Sequence, residues 1–268
     1  MFGRRPDAQL VRDLPAIRRF MPFISPRRND SVFYYPQDVD AEPALQFLER
    51  LNADRPDARP ITFFHLVLRA VIKQMHERPR INRFVAGGRI WQRDGIWMSF
   101  SAKKAFDDDS PVITVKQKMD PEHSVVEMAD QIYEKLGAGR SGKKTTSDNE
   151  VDLLLRLPVP VVRLAMGLAH LADRFGLLPK AMIDADPLYA SAFVANLGSV
   201  GLEGGFHHLW EHGTCSIFVT IGRFHTDATT GRRRVALGYT FDERVEDGLY
   251  VARGLERIKE NLEHPEKL

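Results

Sequence analysis

One cysteine, Cys215, stands in 268 residues. No disulfide can close within the chain, and a reducing compartment, the cytoplasm, is the expected setting. No run reaches the ~18 charge-poor apolar residues of a membrane-spanning helix. The first twenty residues, MFGRRPDAQLVRDLPAIRRF, hold no uninterrupted apolar stretch of the kind a secretory signal needs. Neither sign of charge is in excess: 38 Lys and Arg stand against 36 Asp and Glu, a formal net charge of +2. That balance removes the electrostatic reason to expect nucleic acid as a partner. The small basic clusters Arg4-Arg5, Arg27-Arg28, Lys143-Lys144 and Arg232 to Arg234 read as solvated faces or turns, with ligand phosphates as the less ordinary use. No GxGxxG turn and no GxxxxGK loop occurs, which excludes the dinucleotide Rossmann and P-loop readings. No internal repeat is visible.

What is present is a globular profile, 43% hydrophobic and 28% charged, at a length that builds a core without metal or disulfide staples. Prolines 6, 15, 22 and 26 break residues 1–30 into an irregular or partly helical arm. SVFYYPQDVD (Ser31 to Asp40) has strand composition, and Pro36 assigns it to an edge or a strand end. Ala41 to Leu51 repeats apolar residues at helical spacing. Thr62 caps a second helix, whose stripe runs Phe64, Val67, Leu68, Val71, Ile72, Met75 and which Pro79 ends. Two turn signals follow, Gly87-Gly88 and Asp94-Gly95, and the second predicts a hairpin joining Arg89–Arg93 to Ile96–Ala102. PVITVKQKM is a further strand, and Pro121 to Leu136 a helix. Gly137 to Glu150 is polar and Gly/Ser/Lys-rich and reads as a mobile loop. Val161, Leu164, Ala165, Leu168, Leu171, Ala172 and Phe175 form one face of an amphipathic helix, expected to pack on the core or cover a groove. Arg163, His170 and Arg174 fall opposite. The last third alternates strands and closes with a helix from Gly248 to Leu262. The pattern predicts an α/β fold with a mixed, largely antiparallel sheet.

Three segments in this order carry a resemblance: TFFHLVLRAVIKQMHERPRINRFVAGGRI, FVANLGSVG and FDERVEDG, with SIFVTIG between the last two. The chain resembles the catalytic domain of the dihydrolipoamide acyltransferases of 2-oxo acid dehydrogenase complexes, in the superfamily of chloramphenicol acetyltransferase. The resemblance covers about Ser31 to the C-terminus. It implies an acyltransferase-like domain over 31–268 behind an arm of residues 1–30, with 151–187 as a helical insertion. It also implies a two-layer α/β sandwich of the chloramphenicol-acetyltransferase-like kind, and a homotrimer, with a further assembly of trimers open. Coenzyme A as acyl-CoA substrate and no metal complete the expectation. In that chemistry the histidine of HxxxDG takes the thiol proton, because the thiolate is the nucleophile and a free thiol has a pKa of ~8.5. A serine before NLG donates to the oxyanion, and the aspartate four residues after the histidine shapes the loop through an ion pair.

Carried over by position, Asp247, Gly248, Asn196, Leu197 and Gly198 match, but the base is Glu243 and the serine position is Ala195. A free glutamate has a pKa of ~4.3, about four units below a thiol at ~1.4 kcal/mol each, and is a feeble base unless burial raises it. Losing an oxyanion donor costs ~10²–10³ in rate. Glu243 is then either an altered base or a structural ion-pair partner of a nearby arginine. His207, His208 and His212 offer replacement bases, a metal pattern with two histidines at i, i+4 spacing, or packing around Trp210. Cys215 reads as a buried, inert thiol. The expected site is Glu243, Asp247, Asn196, His208 and His212, with Gly198, Gly248 and Arg244 as contacts for coenzyme A. Thirty residues before Ser31 are too few for a lipoyl domain. The acceptor is therefore expected to be a small molecule or to ride on a carrier from another chain. The competing expectation is a catalytically silent relative that keeps the oligomer as a scaffold or regulatory subunit.

Overall fold

The computed structural model describes residues 4–103, 112–140 and 155–268. In chain order, β1 (Ala8–Leu10) and α1 (Ala16–Ile24) precede β2 (Val32–Asp40), α2 (Glu42–Asn52) and α3 (Phe63–Glu77). Strands β3 (Arg83–Ala86), β4 (Arg89–Arg93), β5 (Ile96–Lys103) and β6 (Val112–Met119) lead to α4 (Val125–Arg140). Helices α5 (Val159–Arg174) and α6 (Lys180–Ala185) follow. The chain ends with β7 (Ala192–Asn196), β8 (Ile217–Thr226), β9 (Arg233–Asp242) and α7 (Gly248–Glu263). Six strands form one sheet in the order β2-β9-β8-β7-β5-β6, antiparallel except for the parallel pairs β8–β7 and β7–β5. The other three form a small antiparallel sheet, β1-β4-β3.

This is a two-layer α/β sandwich with a mixed, largely antiparallel sheet, as the pattern predicts. Alternate residues of β8 (Ile217, Val219, Ile221) and β9 (Val235, Leu237, Tyr239, Phe241) meet Leu66, Leu68 and Ile72 of α3 and the apolar faces of α4 and α7 in one core. The period-2 alternation of the strands is the reason each buries one face against the helices. β2 lies at the sheet edge, where the missing N–H of Pro36 costs no ladder bond to a second neighbour. α4 begins at Val125 rather than Pro121. Ser124 N–H donates to Glu127 Oε2 (2.8 Å) and Glu127 N–H to Ser124 Oγ (3.3 Å), and this capping box sets the helix start. Residues 141–150 of the expected loop lie outside the described residues. Among the described residues no helix is long and apolar enough to cross a membrane.

Two expectations are corrected. The hairpin forms at Gly87-Gly88, where β3 pairs β4. Asp94-Gly95 instead passes the chain from the small sheet to the large one. Both edges of β4 are taken, by β1 and β3, and both edges of β5, by β6 and β7, so β4 and β5 have no free side for each other. Asn82 Nδ2 donates to Gly95 O (2.8 Å) and fixes the crossover. The second correction concerns α5. Its expected apolar face does not enter the core: Leu164, Leu168 and Leu171 are each more than half exposed. The half-buried stripe is Val162, Ala165, Met166, Ala169, Ala172 and Asp173, a rotation of about one residue, ~100°. The cause is polar. Arg5 Nη2 pairs with Asp173 Oδ1 (2.9 Å) while Arg5 Nε pairs with Asp7 Oδ1 (2.9 Å), and the Arg174 carbonyl occupies the space that a Cβ on Gly87, at φ +59°, would fill.

One pH effect follows from α3. His65 is buried and accepts the Thr62 N–H at Nδ1 (3.0 Å). Burial, aided by the Arg55 charge, pushes it down to about 4 from an ordinary 6.5. The folded pKa lies below the unfolded one, so the stabilisation is present above pH ~6.5 and lost as pH falls towards 4. The full difference is about 3 kcal/mol. Urea unfolding at pH 7 and pH 4.5 should show a smaller acid loss in His65→Asn, whose Oδ1 accepts the same bond without titrating. An equal loss in both proteins would remove His65 as the cause.

Candidate functional site

The loop that leaves β9 buries Asp242 and the run Arg244, Val245 and Glu246, and exposes Glu243 and Asp247. Asp242 has no exposed surface and takes the Arg244 guanidinium on both oxygens, from Nε and Nη2 at 2.8 Å each, with Arg28 Nε at 3.8 Å. Arg244 Nη1 donates to Ser25 O (3.1 Å) and Pro26 O (3.0 Å). Glu246 is buried and accepts from Arg83 Nη1 (2.9 Å). Glu243 and Asp247 point the other way and are exposed. Glu243 is fixed through its backbone: its N–H donates to Ser31 O (3.0 Å), and its carbonyl accepts from Arg18 Nη1 (2.7 Å). The neighbouring arginine, Arg244, turns to Asp242 instead. Asp247 forms no loop-shaping ion pair among the described residues. It caps α7, accepting Tyr250 N–H at Oδ1 (2.9 Å), and that bond holds its carboxyl below the usual range.

The second motif sits where β7 ends. Ala195, half-buried, packs against the cluster of Phe193, Leu209, Cys215 and Phe218. Asn196 Oδ1 accepts Ser199 N–H (3.2 Å) and opens a 3-10 turn over Leu197–Val200. A Cβ on Gly198 would lie 2.5 Å from Gly222 O, so this glycine serves the close approach of the turn to β8. Nothing lies within 4 Å of the corresponding position on Gly248. Of the three residues expected at coenzyme A, then, Gly198 is packed and Arg244 is engaged by carboxylate and carbonyls, and Gly248 alone opens outward.

Within one chain the two motifs are apart. Ala195 pairs with Thr220, whereas Asp242 N–H donates to Ser216 O (3.0 Å). The offset is four residues along β8, about 13 Å at ~3.3 Å per residue.

The three histidines after NLG divide. Residues 202–216 are not helical, so the i, i+4 spacing of His208 and His212 puts them on no common face. His207 stacks on Phe218 (4.2 Å between centroids) and on His208 (4.4 Å), and His208 stands edge-on to Trp210 (5.9 Å). These two pack around Trp210. His212 does not. Its Nε2–H donates to Asp186 Oδ2 (2.6 Å), and its Nδ1 lies within hydrogen-bond distance of His170 Nε2 (3.0 Å). Tyr189 stands edge-on to the His212 ring (5.7 Å). Among the described residues no group of three or more His, Cys, Asp or Glu is arranged to hold a metal ion. Cys215 is buried, burial pushes its thiol up, and Sγ donates to Ile217 O (3.2 Å).

His170 and Asp186 were not candidates from the sequence. They stand 42 and 26 residues from His212, and no spacing rule spans such gaps. Rotation of α5 brings His170 to the edge of a cleft of about 530 Å³ between α1, the β3–β4 hairpin, α5 and the Arg244 loop. That volume is in the range of small-molecule sites.

No protein-family model matches the chain, and no curated protein sequence matches it. Solved structures do. A protein described as a probable dihydrolipoamide acetyltransferase from Listeria monocytogenes aligns with a TM-score of 0.63 at 18% identity, covering 95% of this chain and 94% of that one. The truncated catalytic core of the 2-oxoacid dehydrogenase multienzyme complex from Thermoplasma acidophilum gives 0.62 at 15%, over 95% and 98%. A chloramphenicol acetyltransferase gives 0.61 at 13%, over 95% and 99%. At these identities the likeness is one of fold, and it runs through nearly the whole chain: this is a chloramphenicol-acetyltransferase-like fold.

Proposed function

We propose that the chain is a coenzyme-A-dependent acyltransferase-like protein that binds an acyl-CoA and transfers or holds its acyl group at an altered site. The observation that carries this reading is the shared fold together with the order of the FVANLG and DERVEDG segments at the ends of β7 and β9. Their separation along β8 suits a site completed between copies, with the β7 end of one chain facing the β9 loop of another. A homotrimer is the assembly we propose. Ile17, Phe20, Phe23 and Ile24 of α1 are exposed in the single chain and would be covered by a neighbour. The acceptor is a small molecule or a carrier-borne group.

A second reading has its own support. Glu243 is exposed, Asp247 is committed to a helix cap, and Ala195 carries no hydroxyl. A catalytically silent relative that keeps the oligomer as a scaffold would have this set. Calorimetric titration with coenzyme A and with acetyl-CoA separates the two. Saturable heat near one site per chain is expected. A folded oligomer that gives no binding would sink the acyl-CoA reading and leave the scaffold.

A further inference from the structure

We infer that Asp186, His212 and His170 form a proton relay that makes His170 a general base at the 530 Å³ cleft. The order of the bonds fixes the tautomers. The Asp186 carboxylate is an acceptor, so His212 Nε2 carries the proton given to it at 2.6 Å. Neutral His212 then presents a lone pair at Nδ1, and His170 Nε2–H is the donor at 3.0 Å. What remains is the lone pair on Nδ1 of His170, an exposed ring at the cleft edge. When that nitrogen takes a proton, the positive charge is stabilised through His212 by the carboxylate, the logic of an oriented base with a third group behind it.

The rest of the structure holds the relay in place. Leu188 N–H donates to Asp186 Oδ1 (2.8 Å), Tyr189 walls the His212 ring, and the Arg5–Asp173 ion pair anchors the end of α5 that carries His170. The charged and titratable groups around it are Asp173 and Arg174 on α5, Arg28 and Arg244 across the cleft, Glu211 beside His212, Tyr189, and Lys116 of β6, whose Nζ donates to the Asp186 carbonyl (3.2 Å). Arg28 and Arg244 are turned towards Asp242. Asp186 is the carboxylate bonded to the imidazole chain. His170 is the catalytic residue of this inference, and His212 and Asp186 are positioning residues.

The reaction is removal of a proton from a nucleophile as it attacks an activated acyl carbonyl. With water as nucleophile, an O–H proton passes to His170 Nδ1 and the oxygen bonds to the carbonyl carbon. The C–S or C–O bond to the leaving group then breaks; the proton on His170 returns to a leaving thiolate or, when a phenolate leaves as the anion, passes from His170 to bulk water. The identity of a thioester donor rests on the acyl-CoA reading above; the relay itself does not.

Two esters keep those apart. Turnover of p-nitrophenyl acetate and of acetyl-CoA is measured against pH for the wild-type chain, His170→Gln, Asp186→Asn and, as a surface control, His264→Gln. His170→Gln is expected to lower p-nitrophenyl acetate turnover on the order of 10²-fold, and His264→Gln to leave it unchanged. Asp186→Asn removes the charge that favours the imidazolium, so its pH–rate midpoint should move to lower pH, a shift that loss of packing alone would not give. Dependence on His170 with p-nitrophenyl acetate but no turnover of acetyl-CoA would uphold the relay and count against the acyl-CoA donor. Wild-type turnover no faster than that of His170→Gln, or an unshifted profile in Asp186→Asn, would overturn the relay.

Discussion

Asp242→Ala is expected to lower the unfolding free energy by about 3–5 kcal/mol, the cost of stranding buried charge. Asp242 is fully buried and is the carboxylate common to Arg244, bound on both oxygens at 2.8 Å, and Arg28 at 3.8 Å. Both arginines are buried. Without Asp242, Arg244 keeps its two carbonyls, Ser25 O and Pro26 O, and Arg28 keeps Trp210 O and Gly213 O. Carbonyl dipoles do not neutralise two guanidinium charges in a low dielectric. Residues 25–28, the 210–213 loop and the β9 loop all converge on this carboxylate, so local loosening should accompany the global loss. Glu243→Ala, one residue on and exposed, should change stability by less than about 0.5 kcal/mol. Urea denaturation of the two variants at pH 7 makes the comparison. Equal effects would mean that the burial pattern of the loop has been misassigned.

The second large effect is a gain. On the proposed acyl-CoA reading, Ala195→Ser combined with Glu243→His should raise acetyl transfer from acetyl-CoA to a small thiol acceptor at least on the order of 10³-fold over the parent. A positioned base contributes ~10²–10⁴ and an oxyanion donor ~10²–10³, and groups that act as a unit do not add simply. Neither position lies in the fully buried core: Glu243 is exposed, and Ala195 is half-buried beside Phe193 and Phe218. Because the two positions are about 13 Å apart along β8 within a chain, the gain requires the β7 end and the β9 loop to meet between copies. It should therefore fall at dilutions that dissociate the proposed trimer. A double variant that binds acetyl-CoA, stays oligomeric and transfers nothing would show that the site has lost its shape as well as its two side chains.

Much of the fold was legible in sequence because the signals are local. The apolar stripe of α3, the Pro79 stop, the edge strand around Pro36 and the alternation in β8 and β9 each follow from a period of 3.6 or 2.0 acting within a dozen residues. The order of the NLG and DERVEDG segments likewise lies in the chain itself, and the resemblance drawn from it agrees with the fold of the solved structures. So do the absences: one cysteine and balanced charge are facts of composition. The Asp94-Gly95 turn shows the limit. The dipeptide fixes a sharp reversal, but whether the reversal joins two strands of one sheet or passes between sheets depends on who already occupies the edges of β4 and β5.

Three outcomes belonged to the tertiary structure. Amphipathicity gave α5 an apolar face, yet the Arg5–Asp173 pair and the Gly87 contact turned a different stripe inward, because a buried ion pair and a backbone collision outweigh a few exposed leucines. Three histidines and a cysteine in one segment offered several bases. Only the assembled backbone gave His212 a carboxylate on one side and a second imidazole on the other, while stacking committed His207 and His208 to packing. Asp242, Arg244 and Glu246 became buried ion-pair partners, and Glu243 and Asp247 were left exposed, because Arg28 and Arg83 reach the loop from distant parts of the chain. The sequence by itself determined which elements form and in what order. Which residues meet was decided by partners up to 225 positions away, and no local pattern encodes a contact whose two halves are brought together only by the folded chain.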